Sequence, residues 1–162
     1  MSSETETGRT PGAGRSQGPG SELTDRLGYL LKHAQQRLTE LTSAALEPFG
    51  ISGRELAVLL VFDALGSSSQ QDAARRLGVD RTTMVALVDG LEAKGIVLRA
   101  PCPQDRRRNR VAFTEAGRAR FLRARAASDA AERAFLGSMD EEQGEAFRAR
   151  LRALIGVTGY PG

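Results

Sequence analysis

Proline and glycine divide the middle of this chain into three short segments, and this division limits the fold more than any other feature. The breaks fall at Pro48, Gly66, Gly78 and Gly95, since proline cannot continue a helix and glycine readily ends one. Between the breaks, apolar residues recur every three or four positions, as in helices with one buried face. We therefore expect three short helices, preceded by one long helix from Glu22 to Pro48.

Polar residues at the segment starts support these helices. Ser52 and Glu55 match a capping box, and Ser69 followed by Asp72 repeats that pattern. Asp80 precedes the third short helix. Side-chain oxygens at such positions accept hydrogen bonds from the unpaired N–H groups of a first helical turn. The short turn before Asp80 joins two helices in the manner of a helix-turn-helix.

Beyond Gly95 the apolar period changes to two, which predicts short strands over residues 96–100 and 110–114. Between them, residues 101–109 contain two prolines and three consecutive arginines. Because proline interrupts a strand ladder, this segment is expected to be an exposed hairpin tip. Two final helices are predicted to begin after Thr114 and Asp140.

The predicted fold is mainly α with a small β-hairpin wing, a winged helix-turn-helix with N- and C-terminal dimerisation helices. Residues 1–20 are expected to be a disordered tail, because they are rich in glycine and poor in apolar residues. Residues 21–157 form the domain, with the winged unit at 52–114. Residues 21–50 and 115–157 carry more apolar surface than this unit can cover, which predicts a homodimer.

Positive charge is concentrated in one third of the chain. The net charge is +3, yet residues 70–125 hold 13 basic and 6 acidic side chains, a local charge of +7. Lys32 and Lys94 are the only lysines, so arginine supplies 21 of the 23 basic residues. GC-rich coding also produces such a bias, and the distribution is therefore more informative than the composition. It predicts a polyanionic partner.

Several classes of protein are excluded. One cysteine, Cys102, and one histidine, His33, cannot form a disulfide framework or a Cys/His zinc cage. The chain has neither a long apolar run nor the apolar core of a signal peptide, so we expect a cytoplasmic protein. Cys102 and His33 are far apart in the sequence and do not suggest a nucleophile and base pair. The acidic cluster at 140–142 lies at a predicted helix start, where it complements the helix dipole. No enzyme activity and no cofactor are therefore predicted.

The third short helix is the candidate reading helix. If Met84, Leu87, Val88 and Leu91 face the core, the opposite face can enter a major groove. Arg81 suits a bidentate contact to guanine, the threonines suit bases or phosphates, and the small apolar residues suit thymine methyl groups. The predicted DNA-binding residues of this helix are Arg81, Thr82, Thr83, Val85 and Ala86.

The hairpin tip is the second candidate contact. Arg106, Arg107 and Arg108 repel each other unless a partner neutralises them, and a narrow minor groove attracts inserted arginine. Asp105 is expected to orient a neighbouring arginine by hydrogen bonding. Arg110, which follows the tip, is a further candidate for DNA binding.

The stretch from Asp80 to Gly117 resembles the MarR family of bacterial transcription regulators. The family's wing signature, Asp-Arg-Arg-x-x-x-Val-x-Leu-Thr-x-x-Gly, has Phe113 in place of leucine and is otherwise met at Asp105, Arg106, Arg107, Val111, Thr114 and Gly117. The resemblance implies that Arg107 enters the minor groove, that the start of the reading helix contacts the major groove, and that Ser69 and Gln70 approach phosphate. It also implies a homodimer on a pseudopalindromic double-stranded operator, with release or retuning by a small-molecule effector whose binding residues the sequence does not identify.

Two departures from the family pattern affect this interpretation. Val85 and Ala86 stand where relatives often have Thr-Arg, and Ala73 stands where many have leucine. The first implies fewer polar base contacts, and the second a slightly smaller core. The main hypothesis is a dimeric, ligand-responsive repressor. The alternative is a non-catalytic winged-helix dimer that acts as a protein-interaction module, which the weakly polar Val85, Ala86 and Gly90 favour.

Overall fold

The structure is a computed structural model that describes residues 21–66, 70–101 and 109–156. The predicted tail at 1–20 lies outside the described residues. The chain divides into two compact units between Ala34 and Gln35. In chain order the elements are α1 (Ser21–Thr24), α2 (Leu27–Leu46), a 3-10 turn (Glu47–Phe49), α3 (Gly53–Leu65), α4 (Gln70–Leu77), α5 (Arg81–Ala93), β1 (Val97–Pro101), β2 (Asn109–Phe113), α6 (Glu115–Leu136) and α7 (Glu141–Leu154).

The predicted first helix is interrupted near its start. Asp25, a residue of low helix propensity, lies in a turn between α1 and α2, and the Arg26 N–H donates to the Leu23 carbonyl at 3.1 Å. The prediction of one continuous helix from Glu22 is therefore wrong at this point. Its predicted end is confirmed, because α2 gives way to the 3-10 turn that contains Pro48.

The helix starts follow the predicted caps. Ser52, Asp80, Thr114 and Asp140 each accept a hydrogen bond from the N–H three residues further on, at 2.8–3.3 Å. The capping box at Ser52 is complete in both directions. Ser69 lies outside the described residues. Four of the helices thus begin where a local side-chain oxygen satisfies the first turn.

The wing is a two-stranded antiparallel sheet in which Val97 lies opposite Phe113 and Pro101 opposite Asn109. Both strands are shifted one residue toward the tip from the predicted 96–100 and 110–114. The reason for the shift of β1 is that the Ile96 N–H donates to the Leu91 carbonyl, at 3.0 Å, and so closes the turn after α5. Pro101 fits the outer end of the ladder, where it need not donate an N–H.

The core of the second unit lies among α3, α4, α5, the wing and α6. Met84, Val88 and Leu91 are buried as predicted, and Leu87 is half-buried against them. From α6, Phe121 and Ala124 are fully buried. This packing fixes α5 with one face inward and the opposite face at the surface.

Large apolar side chains stay exposed in each unit of the single chain. In the first unit these include Leu27, Leu30 and Leu31 on α2. In the second, Leu154 is 76% exposed and Ile155 72%. Among the helices in the described ranges, none has the length and apolar character to cross a bilayer.

Candidate nucleic-acid interface

Helix α5 presents its first two turns to solvent on the face opposite the core. Arg81, Thr82 and Ala86 are exposed, and Val85 is half-buried beside them. Residues at these positions lie on one side of a helix because they are one or four residues apart. The predicted face therefore exists as a contiguous surface with one cation, one hydroxyl and two small apolar groups.

Thr83 differs from its neighbours because its hydroxyl is already engaged. It donates to Asp80 Oδ2 at 2.6 Å, while its N–H donates to Asp80 Oδ1 at 2.9 Å. The hydroxyl and then the backbone N–H of Thr83 hold the pKa of Asp80 below its ordinary value. With its proton committed to the cap, Thr83 can offer a partner only an oxygen lone pair.

Arg99 joins the wing to α5. Its guanidinium, on β1, forms ion pairs with Asp89 and Glu92 of α5, and its N–H donates to Glu92 Oε1 at 3.1 Å. Partial burial lowers the pKa of Arg99, but the hydrogen bonds to Asp89 and then Glu92 outweigh it and raise the pKa overall. Sequence reasoning missed this residue, because no local pattern pairs a strand arginine with a preceding helix.

The root of the wing packs against the start of α6. Thr114 Oγ1 donates to the Gly95 carbonyl at 2.7 Å and accepts from the Gly117 N–H at 2.9 Å. The Thr114 N–H donates to the Ile96 carbonyl at 3.1 Å. A Cβ on Gly117 would lie 1.9 Å from the Ile96 oxygen. Two residues of the wing signature, Thr114 and Gly117, thus have a structural role here.

Several predicted contact residues have no described position, among them all three arginines of the wing tip. Those outside the described residues are Ser69, Asp105, Arg106, Arg107 and Arg108, and Cys102 lies outside them as well. Gln70 is half-buried as the first residue of α4. Arg110 lies on β2 opposite Ala100, and its buried Nε has no hydrogen-bond partner among the described residues.

His33 is exposed on α2, away from any described cluster of ligands. Its ring stacks on Tyr29 with 3.8 Å between centroids, and Nδ1 donates to the Tyr29 carbonyl at 2.8 Å. Within the described ranges, no group of three His, Cys, Asp or Glu side chains is placed to hold a metal ion.

Known proteins share this arrangement. The family model described as MarR family matches residues 49–108. A MarR family protein of Mycobacterium tuberculosis, solved in complex with DNA, is 30% identical, and the superposition covers 80% of this chain and 97% of that protein with a TM-score of 0.66. The chain belongs to the MarR family. Both the predicted family and the predicted winged fold are confirmed.

Two further MarR-like proteins are similar over different lengths. The transcriptional repressor CouR bound to a 23-mer DNA duplex is 30% identical, with 87% of this chain and 99% of CouR covered and a TM-score of 0.75. CouR from Rhodococcus jostii RHA1 bound to p-coumaroyl-CoA is 29% identical, with 88% and 100% covered and a TM-score of 0.73. The transcriptional repressor NicR of Pseudomonas putida is 32% identical over 99 residues, which span 60% of this chain and 62% of NicR.

Proposed function

We propose that this MarR family protein is a homodimeric repressor that binds double-stranded DNA and responds to a small molecule. The observation that carries the proposal is the exposed face of α5, where Arg81 and Thr82 follow a capped helix start beside a wing fixed by Arg99. A helix presented in this way fits a major groove, and a wing beside it reaches the neighbouring minor groove.

Each contact has a chemical role in this proposal. Arg81 binds guanine O6 and N7, Thr82 contacts bases or phosphate, and Val85 and Ala86 meet thymine methyl groups. Thr83 contributes only as an acceptor. The phosphate contacts come from Ser69, Gln70 and Arg110, and the minor-groove contacts from Arg106, Arg107 and Arg108 with Asp105 as their orienting carboxylate.

The proposed organisation places DNA reading at 52–114 and dimerisation at 21–50 and 115–157. Apolar side chains are exposed in both proposed dimerisation segments, for example Leu30 and Leu154. They support a dimer in which apolar surface of a second copy of the chain covers them. A two-fold dimer presents two copies of α5, and its operator is pseudopalindromic with half-sites about one helical turn apart.

Effector control follows from the same dimer. A ligand that prefers a different separation of the two reading helices lowers DNA affinity, because it stabilises a state that mismatches the half-sites. CouR has been solved with p-coumaroyl-CoA. Aromatic acyl-CoA thioesters and their free acids are therefore the first compounds to test as effectors.

The test is binding of a fluorescent promoter duplex as a function of salt. Arg81→Ala is expected to lose about tenfold to a hundredfold in affinity for the selected sequence and to relax specificity at one base pair. Arg107→Ala is expected to weaken binding and to reduce the salt slope by about one. Arg123→Ala is the matched control, since exposed Arg123 on α6 loses the same charge away from the proposed DNA contacts.

Wild-type affinity in both Arg81→Ala and Arg107→Ala would reject direct DNA readout. The interaction-module alternative would then explain the apolar Val85 and Ala86. It is not favoured at present, because CouR and the Mycobacterium tuberculosis relative have both been solved with DNA.

A further inference from the structure

We infer that Glu55 is a positioning residue for DNA reading, because it ties the first turn of α3 to the end of the reading helix α5 through Lys94. This inference deepens the proposed function and rests on it. Glu55 is only 7% exposed. Lys94 Nζ donates to Glu55 Oε1 at 2.7 Å and to Oε2 at 2.8 Å across 39 residues of sequence.

The capping box alone does not explain this burial. A capping-box glutamate needs only to reach back to the N-cap N–H, as Glu55 Oε2 does to Ser52 at 2.8 Å. Glu55 also accepts from the Ser52 hydroxyl at 2.8 Å. The carboxylate then holds the ammonium group with both oxygens, so it serves the helix start and the distant cation together.

Lys94 and Gly90 are matched to this carboxylate. Lys94 is the C-cap residue of α5, where a cation also complements the negative end of the helix dipole. Gly90 lies one turn earlier, and a Cβ built on it would lie 3.4 Å from Glu55 Oε1. That distance is an ordinary van der Waals contact, so the carboxylate lies directly against the α5 backbone at position 90.

The tie acts at the opposite end of α5 from Arg81. Arg99 joins the wing to Asp89 and Glu92 on the same part of the helix. Glu55 therefore fixes the segment of α5 to which the wing is attached, without facing the DNA. Loss of the Glu55–Lys94 pair is expected to make the positions of α5 and the wing less well defined. The side chains that contact DNA stay the same.

The experiment compares Glu55→Gln, Lys94→Gln and the double variant. Glutamine keeps one oxygen for the capping hydrogen bond from Ser52, but it is neutral and cannot form the two-oxygen ion pair with the ammonium group. The probes are a duplex selected from a random pool by the wild-type protein and a scrambled duplex of the same composition. Each single variant is expected to bind the selected duplex about tenfold more weakly, with unchanged affinity for the scrambled duplex. The double variant is expected to be no weaker than either single one.

Ser52→Ala is the matched control, because it removes the cap and leaves the Lys94 pair. It is expected to lower thermal stability while the ratio of selected to scrambled affinity stays at the wild-type value. The inference would be overturned if the losses of affinity in the two single variants added up in the double variant. It would also be overturned if Ser52→Ala lowered the ratio of selected to scrambled affinity as much as Glu55→Gln does. Should Glu55→Gln fail to fold, Lys94→Gln, altered at the more exposed end of the pair, provides the same comparison.

A second readout separates this inference from the proposed function. Hydrogen exchange of the last-turn amides of α5 is expected to accelerate in Lys94→Gln, while the amides of α7 keep their wild-type rates. If the wild type does not distinguish selected from scrambled DNA, the proposed function fails and the exchange data still test the tie. Unchanged exchange rates in α5 would show that the Glu55–Lys94 pair does not hold the end of this helix in place.

Discussion

Replacing Gly117 with alanine is expected to dislodge the root of the wing. The new Cβ would lie 1.9 Å from the Ile96 carbonyl oxygen and 2.6 Å from its carbon. Carbon–oxygen contacts normally need about 3.3 Å, so two backbone segments must separate by more than about 1 Å. Neither segment can rotate away as a flexible side chain can.

The magnitude follows from opposing effects. Alanine in a helix gains about 1 kcal/mol over glycine, while overpacking a buried site costs about 1–3 kcal/mol. The separation also weakens the hydrogen bond from Thr114 N–H to Ile96, which contributes about 1 kcal/mol. We expect a net loss of about 1–3 kcal/mol in the free energy of unfolding, with Tm falling roughly 2–4 °C per kcal/mol.

Urea and thermal denaturation measure this loss, with Gly53→Ala as control. Gly53 opens α3, and its added Cβ would meet nothing within 4 Å, so the expected change is below about 1 kcal/mol. DNA affinity is expected to fall only in Gly117→Ala. A Gly117→Ala protein with wild-type stability would refute the close contact between the wing root and α6.

Three further predictions follow. Arg99→Ala is expected to cost about 1 kcal/mol in urea denaturation, since its partners are partly exposed, yet to weaken operator binding clearly; unchanged anisotropy titrations would contradict this. Burial raises the pKa of Glu55, but the hydrogen bonds from Lys94 and Ser52 lower it overall. The resulting stability is present above the ordinary glutamate pKa of about 4.3 and is lost as the pH falls through the lower folded value. The Tm difference between wild type and Glu55→Gln should therefore narrow only in acid, and a difference that narrows near neutral pH would be inconsistent with it. Leu154→Glu should shift the sedimentation equilibrium toward monomer, and a wild type that is already monomeric at micromolar concentration would disprove the dimer.

Local signals predicted most of the fold. Ser52, Asp80, Thr114 and Asp140 cap their own helices, so the evidence for each boundary lies within a few residues of sequence. The break at Asp25 was missed because helical periodicity continues across it. On such evidence, element order and the exposed face of α5 could be inferred without a structure.

Long-range pairings could not be predicted in the same way. The Lys94 contact to Glu55 spans 39 residues, and nothing near either residue marks the other. On α6, Phe121, Ala124 and Ser128 are buried, and the small side chains of Ala124 and Ser128 do not mark that face in the sequence. The direction from which the core approaches a helix depends on tertiary packing, which periodicity alone does not determine.

The exposed side chains of Arg81, Thr82 and Ala86 take no part in the hydrogen bonds or ion pairs found among the described residues. The fold is held instead by caps, the buried face of α5 and the contacts of Arg99 and Gly117. If α5 reads DNA as proposed, substitutions at the three surface positions change the preferred DNA sequence at little cost in stability. After gene duplication, a copy of this protein could acquire a new set of target genes through a few surface substitutions, while its scaffold stayed under separate selection.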